Sequence, residues 1–301
     1  MGNSAWKIRG RHAVLALLAL LAIGVALAYR QLSRPLPEGT IPAGYRPDLE
    51  NGRVIYTAGG CISCHRGTGP HVELPAGGRK LKIPGGDITV PNITPDAQTG
   101  IGTWRAKDFL TALRRGLGPD GTHYIPAFPY TSYAWMTTRD ILDLYHYLKS
   151  LKPVRNPTPL DSHPLDRFAL AFWKWLALPV HPFRPVPGKS DAWNRGAYLV
   201  VGPGHCGECH TPRNAIFIPD RRRWLAGAPH LSEKGHVPSL RGLKKRGRYK
   251  DVNDLFQALK YGEALGYEDI SSGGMGEVQT NISRLPDADI RAIATYLMSL
   301  D

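Results

Sequence analysis

Four cysteines occur in this chain, and all four sit in two copies of one pattern: Cys61-Ile62-Ser63-Cys64-His65 and Cys206-Gly207-Glu208-Cys209-His210. C-x-x-C-H is the attachment signature of a c-type haem. The two thiols form thioethers with the haem vinyl groups, and the adjoining imidazole reaches the iron from the proximal side. No cysteine is left for a disulfide, a catalytic thiolate or a sulfur ligand on the far face of either iron. Zinc knuckles and thioredoxin-like dithiols also use Cys-x-x-Cys. Paired zinc half-sites normally lie much closer than the 145 residues between Cys61 and Cys206, and a redox dithiol needs no histidine in the next position. The pattern predicts two covalently bound haem c groups, with Cys61, Cys64, Cys206 and Cys209 as attachment points and His65 and His210 as proximal ligands.

Aligning the motifs aligns much of the chain. Asp108 to Gly116 answers Asp254 to Gly262 at an offset of 146, and Asp140 to Leu151 answers Asp289 to Leu300 at an offset of 149. A period of this length marks two domains rather than a solenoid. Each half runs from its haem motif through a loop and a middle helix to a closing helix. Ile141, Leu144, Tyr145, Leu148 and Leu151 form the apolar stripe of one closing helix; Ile290, Ile293, Ala294, Leu297 and Leu300 form the other. Thr137 with Asp140, and Pro286 before Asp287 and Asp289, supply the helix starts. No convincing run of alternating strands occurs in either half. A domain of ~100 residues buries only a modest core, and a covalently held haem adds a large apolar centre for helices to pack around.

Ala13 to Tyr29 carries no charge and follows Lys7, Arg9 and Arg11. Its 17 residues span about 26 Å as a helix, at the short limit for a ~30 Å hydrocarbon core. The basic flank should stay cytoplasmic, sending the rest across the membrane. Ala26-Leu27-Ala28 resembles a cleavage site, so a removed signal peptide competes with a retained anchor. Either reading puts the haem motifs outside the cytoplasm. The formal charge is +13, densest at Arg221-Arg222-Arg223 and at Lys244-Lys245-Arg246 with Arg248. Such clusters steer acidic partners, rest on anionic headgroups or form a solvated face. Nucleic acid is excluded as a partner by the compartment and by the lack of a recognition motif. Between the halves, Lys152 to Ser190 is proline-rich and holds one apolar segment, Phe168 to Leu178, too short to span a bilayer. It can pack across the domain junction, lie in the membrane interface or meet a partner.

The distal ligand decides what each iron does. A His/Met pair saturates it for electron transfer, whereas an open site suits oxygen or peroxide chemistry. Of the four methionines, Met1 is terminal and Met298 lies within the closing helix. Met275, in the glycine-rich run Ser271 to Glu277, is the candidate for the second haem. The matching place in the first half falls near Pro126-Ala127-Phe128, and phenylalanine cannot ligate iron. Met136, just before the closing helix, is the candidate there, with His123 or an open site as alternatives.

The chain resembles membrane-tethered bacterial dihaem cytochromes c, and it is similar to the cytochrome c subunits of membrane-bound alcohol, aldehyde and gluconate dehydrogenases. The likeness spans about residues 45–301. Its stretches include Gly59 to His65, Pro91 to Asp96 with Gly100 to Gly102, Pro126 to Tyr133, Asn194 to Leu199, Gly204 to Cys206 and Gly273 to Met275. It implies an all-α protein: two class I cytochrome c domains in tandem, preceded by one N-terminal transmembrane helix. The corresponding divisions are 1–38 for the stub, anchor and tether, 39–152 for the first domain, 153–190 for the linker and 191–301 for the second domain. Dehydrogenase subunits of this family usually carry three haems and a methionine where Phe128 stands. Other members have phenylalanine there and a methionine a few residues later, as Met136 is here.

The resemblance further implies an electron carrier rather than an enzyme, held in the inner membrane with its haem domains facing the periplasm. It would accept single electrons from a dehydrogenase and deliver them to the quinone pool, a soluble cytochrome or a terminal oxidase. Two alternatives stand beside it: a peroxidase-like dihaem enzyme with an open first haem, and an obligate subunit of a larger dehydrogenase. A thiosulfate-oxidising enzyme with a cysteine ligand is disfavoured because no cysteine is spare.

Overall fold

The computed structural model describes residues 2–84, 86–159, 167–179, 181–231, 234–262 and 274–301. Helix α1 (Gly2–Leu32) comes first. The first repeat then runs α2 (Leu49–Ala58), α3 (Cys61–His65), strands β1 (Lys80–Ile83) and β2 (Gly86–Thr89), α4 (Ala106–Arg115), α5 (Tyr130–Tyr133) and α6 (Thr138–Ser150). After α7 (Arg167–Ala177), the second repeat gives the same order: α8 (Asp191–Val201), α9 (Gly207–His210), β3 (Ala228–Pro229) with β4 (His236–Val237), α10 (Val252–Tyr261), α11 (Gly274–Ile282) and α12 (Asp287–Met298). The protein is mostly helical, as expected. It departs from that expectation in two short antiparallel hairpins, which pair Lys80 with Thr89 and Ala228 with Val237. Strands of four and two residues are too short for alternation to show in a sequence.

Local chemistry sets the helix ends. Asp48, Thr137, Ser190 and Asp251 each accept a bond from the backbone N–H three residues on, satisfying donors that a helix start leaves open. Helices α4 and α10 both stop at a left-handed glycine, Gly116 at φ 54° and Gly262 at φ 74°. The stripes on α6 and α12 are buried as their spacing predicts, apart from Leu151 and Leu300, which are only half-buried.

In each repeat the opening helix crosses the closing one at a glycine. A Cβ on Gly52 would collide with the Asp143 carbonyl, and one on Gly196 with the Ala292 carbonyl. Only a residue without a side chain allows that approach. Polar pairs lock both crossings: Asn51 donates to Asp140 at 2.7 Å and to Asp143 at 2.8 Å, while Arg195 grips Asp289 at 2.8 and 2.9 Å.

The repeats interlock. Val54 on α2 belongs to the second repeat's core. The Tyr198 hydroxyl donates to Asp140 and accepts from the Thr137 N–H at 3.2 Å.

Among the described residues, one helix is long and apolar enough to cross a membrane, Arg11–Leu32, with mean hydropathy 2.3 and none of it buried. Those 22 residues extend about 33 Å, longer than the apolar run alone suggested. The end of α1 is pinned to the first repeat. Ser33 Oγ bonds the His123 ring at 2.9 Å, Arg115 donates to the Arg34 carbonyl at 2.8 Å, and the Leu36 N–H donates to Thr111 at 3.2 Å.

Candidate functional site

Helices α3 and α9 carry the two Cys-x-x-Cys-His runs in like settings. The backbone before α3 turns through Gly60 at φ 55°; before α9 the strained His205 turns it at φ 39°. The His65 Nδ1–H donates to the Pro91 carbonyl at 2.8 Å, and the His210 Nδ1–H donates to the Pro238 carbonyl at 2.7 Å. Each bond sets ring orientation and tautomer, leaving the Nε2 lone pair for a metal. Burial lowers both imidazoles, with the proline carbonyls working against it, so both stay neutral as ligation requires. The glycine N–H groups of Gly77 and Gly227 bond the carbonyls of His65 and His210 at 2.8 and 2.7 Å, completing the parallel.

The Pro91 loop is held by a buried network. Asn92 donates to the Val154 carbonyl at 2.7 Å and to Thr99 at 3.0 Å, and accepts from the Thr94 N–H at 2.9 Å. Pro91 belongs to a stretch singled out from the sequence; Pro238 does not, and its partnership with His210 was missed. The signal was present: Pro238 follows Pro91 by 147 residues, close to the offsets of the flanking elements.

The thiols fit haem attachment better than their rivals. Burial pushes Cys61 and Cys206 up to about 12, the reverse of the lowered value that makes a dithiol reactive. Among the described residues, no group of three or more His, Cys, Asp or Glu side chains is placed to hold a metal ion. The donor set in each half is thus two thiols and one oriented neutral imidazole, which suits haem c.

The two sites share one interface. Asn281 on α11 donates to Ser63 Oγ at 2.7 Å, inside the first motif; Ser132 on α5 donates to Glu208 at 2.7 Å, inside the second. Arg79 pairs with Glu277 at 2.8 Å, and Glu208 is also held by Thr131 and Arg213, both at 2.5 Å. The His205 Nε2–H donates to the Gly59 carbonyl at 3.2 Å, and its ring lies edge-on to Tyr133 at 5.9 Å. Burial first, then the sulfurs of Cys61 and Cys64, raise the Tyr133 hydroxyl well above its ordinary value. Burial also raises Cys64, and the Cys209 sulfur lies close enough to add to the effect.

The distal candidates separate clearly. Met136 is 1% exposed, packed in the first core beside Ile55 and Leu110, one residue before the Thr137 cap. Met275 is half-buried in the first turn of α11. It therefore sits on a short helix of its own rather than in a glycine-rich loop; Ser271 to Gly273 lie outside the described residues. Side chains along α11 fasten it on two sides, with Glu277 and Asn281 reaching the first repeat and Gln279 the Leu259 carbonyl at 3.2 Å. Phe128 packs among Tyr124, Tyr130 and Tyr133. His123 is buried against Ser33 and Tyr29, and desolvation with the nearby Lys174 charge lowers it to about 4. Its Nε2 is engaged by the end of α1.

Comparison with known proteins agrees with this geometry. The cytochrome c family model matches twice, over residues 49–152 and 195–301. A "Diheme cytochrome c-type" protein of Cereibacter sphaeroides is 40% identical over 295 residues, covering 95% of this chain and 97% of that protein. The fructose dehydrogenase cytochrome subunit of Gluconobacter japonicus is 37% identical over 87% of this chain and 54% of its own length. The gluconate 2-dehydrogenase cytochrome c subunit of Pantoea cypripedii is 36% identical over 84% of this chain and 59% of its own length. The chain belongs to the cytochrome c family and carries two covalently bound haem c groups.

Proposed function

We propose that this electron carrier passes single electrons between a periplasmic or membrane dehydrogenase and the respiratory chain. In this reading Cys61 with Cys64, and Cys206 with Cys209, hold the haems; His65 and His210 are the proximal ligands, and Met136 and Met275 the distal ones. The two repeats are class I cytochrome c domains in tandem, and α1 is a retained inner-membrane anchor with the haem domains on the periplasmic side. The observation that carries the reading is the pair of imidazoles oriented by Pro91 and Pro238 on either side of one interlocked interface.

Haem c, when bound, supplies reversible one-electron exchange at iron. The chain's own residues orient the imidazoles, exclude water and keep the two attachment helices in one rigid relation. Rigidity suits this task, because a site that barely moves adds little reorganisation to each electron transfer. The relatives named as dehydrogenase subunits support a dehydrogenase as donor, and assembly with one is compatible with this role. Burial of Met136 at the closing-helix start, with His123 committed to Ser33, favours a closed first iron over a peroxidase-like open one.

Purified holoprotein should show two haem additions by mass, low-spin spectra only, and no carbon monoxide binding at neutral pH. One haem in two that is high-spin and binds carbon monoxide would defeat the carrier reading in favour of an enzyme.

A further inference from the structure

Helix α7 is amphipathic in an inverted sense. Its inward face, Leu170, Ala171, Lys174 and Ala177, is buried and includes the only charge between residues 168 and 177. Lys174 Nζ donates to the Arg115 and Gly116 carbonyls at 2.7 and 2.9 Å, capping α4, and lies 5.6 Å from the Tyr130 ring centre. Between residues 168 and 177 the outward face carries no charge: Phe168 is 45% exposed, Trp175 72% and Leu176 57%, with Ala169 and Phe172 between them. A surface helix in water normally shows the opposite arrangement.

A turn of the second repeat extends this face. Trp173 Nε1–H donates to the Ile216 carbonyl at 2.6 Å, and Ile216 and Phe217 are 51% and 53% exposed. Phe217 is held at φ 61°, a costly conformation for a bulky side chain. Arg213 bonds its carbonyl at 2.9 Å, and Asn214 Oδ1 accepts from the Ile216 and Ile218 N–H groups at 3.0 Å. The turn is thus built to present two large apolar side chains to the outside.

What covers this face follows from its neighbours. Phe168 stacks on Tyr29 of α1 at 4.7 Å, near the end of the helix that is long and apolar enough to cross a membrane. Exposed arginines lie close in the chain to both ends of it: Arg30 and Arg34 follow Tyr29, and Arg221, which approaches the Ala177 carbonyl at 3.5 Å, precedes Arg222 and the Asp220-paired Arg223. An apolar face with aromatic residues and nearby arginines, continuous with a spanning helix, matches the headgroup boundary of a bilayer. We propose that α7 and the 214–218 turn make a second, monotopic membrane contact that seats the haem domains on the bilayer surface beside the anchor. The proposal rests on α1 being a retained anchor.

The test uses full-length holoprotein in vesicles of phosphatidylcholine and phosphatidylglycerol. With the four native cysteines held as thioethers, an introduced cysteine is the only thiol to label with a nitroxide. Labels at Trp175→Cys and Phe217→Cys should collide with oxygen and be shielded from a water-soluble nickel chelate. Leu20→Cys in α1 serves as the lipid reference and Leu49→Cys as the aqueous one. Labels at 175 and 217 that match the aqueous reference, with the label at 20 in lipid, overturn the docking and spare the anchor. A label at 20 that reads aqueous, or mature protein lacking α1, overturns both. Shielding that arises only on adding a dehydrogenase replaces the membrane by a protein partner and overturns the proposal. As an independent measure, haem linear dichroism on oriented bilayers should fall several-fold in Trp175→Glu with Phe217→Glu, with the optical spectrum intact; unchanged dichroism overturns it.

Discussion

Asn281 donates a 2.7 Å hydrogen bond to Ser63, so the helix before one closing helix reaches into the haem-attachment run of the other repeat. Ser132 and Glu208 make the reciprocal contact. The chain duplication is therefore expressed as an approximate two-fold clasp between the attachment helices, not only as two similar folds. Each attachment run is held by a side chain from the other repeat.

Breaking the clasp should loosen the pair of sites together. Asn281→Ala removes the hydrogen bonds to Ser63 and to the Glu277 carbonyl and should cost about 2 kcal/mol. Glu208→Ala leaves Arg213, which is 12% exposed, without its partner, and should cost about 3 kcal/mol. Denaturant unfolding of the holoprotein checks both. Equal effects from the two variants would argue that Glu208 is not the heavier member.

The Asn92 network should act on one haem only. Asn92→Ala removes the shorter of two donors to the buried Val154 carbonyl, the Thr94 hydroxyl remaining at 3.3 Å, and the acceptor of the Thr94 N–H, at a cost of about 2 kcal/mol. With Pro91 freed, the His65 ring loses its fixed tautomer. The first haem's potential and low-spin signal should shift in a redox titration, while the second haem keeps its own. A shift at the second haem would refute the assignment.

Glycine at the helix crossings should admit no replacement. Gly52→Ala and Gly196→Ala each drive a methyl into a backbone carbonyl, with an overpacking cost of about 3 kcal/mol. Each should lower haem incorporation in its own repeat first, read as haem per chain after expression. Normal yields of dihaem protein would contradict the crossing geometry.

Acid should undo the seat of α1 through His123. Its folded value, about 4, lies below the ordinary 6.5, so between those two pH values the unfolded state binds more protons. Stability is complete above about pH 6.5 and is lost as pH falls towards 4, by on the order of 2 kcal/mol. His123→Gln should flatten that part of the pH profile in thermal melts. An unchanged slope would place the titration elsewhere.

Distal ligation is decided by paired substitutions. Met136→Ala should open the first iron, giving high-spin character and carbon monoxide binding at one haem, and should cost about 3 kcal/mol as a core truncation. Met275→Ala should open the second iron in the same way without the core-truncation cost, being only half-buried, while His123→Ala should leave both low-spin. Carbon monoxide binding in the His123 variant alone would reassign the first haem.

Local and covalent information was readable along the chain. The two attachment runs, the duplication, the Thr137 cap and the apolar stripes of α6 and α12 all arise from neighbours a few residues apart, where side-chain identity carries the physics. The other determinants needed the folded chain. His65 and His210 are oriented by backbone carbonyls 26 and 28 residues away, and a carbonyl looks alike at every position of a sequence. The clasp joins Asn281 to Ser63 across 218 residues, and Lys174 turns inward because α4 ends beside it. Those outcomes depend on which surfaces meet in space, and only tertiary packing selects them.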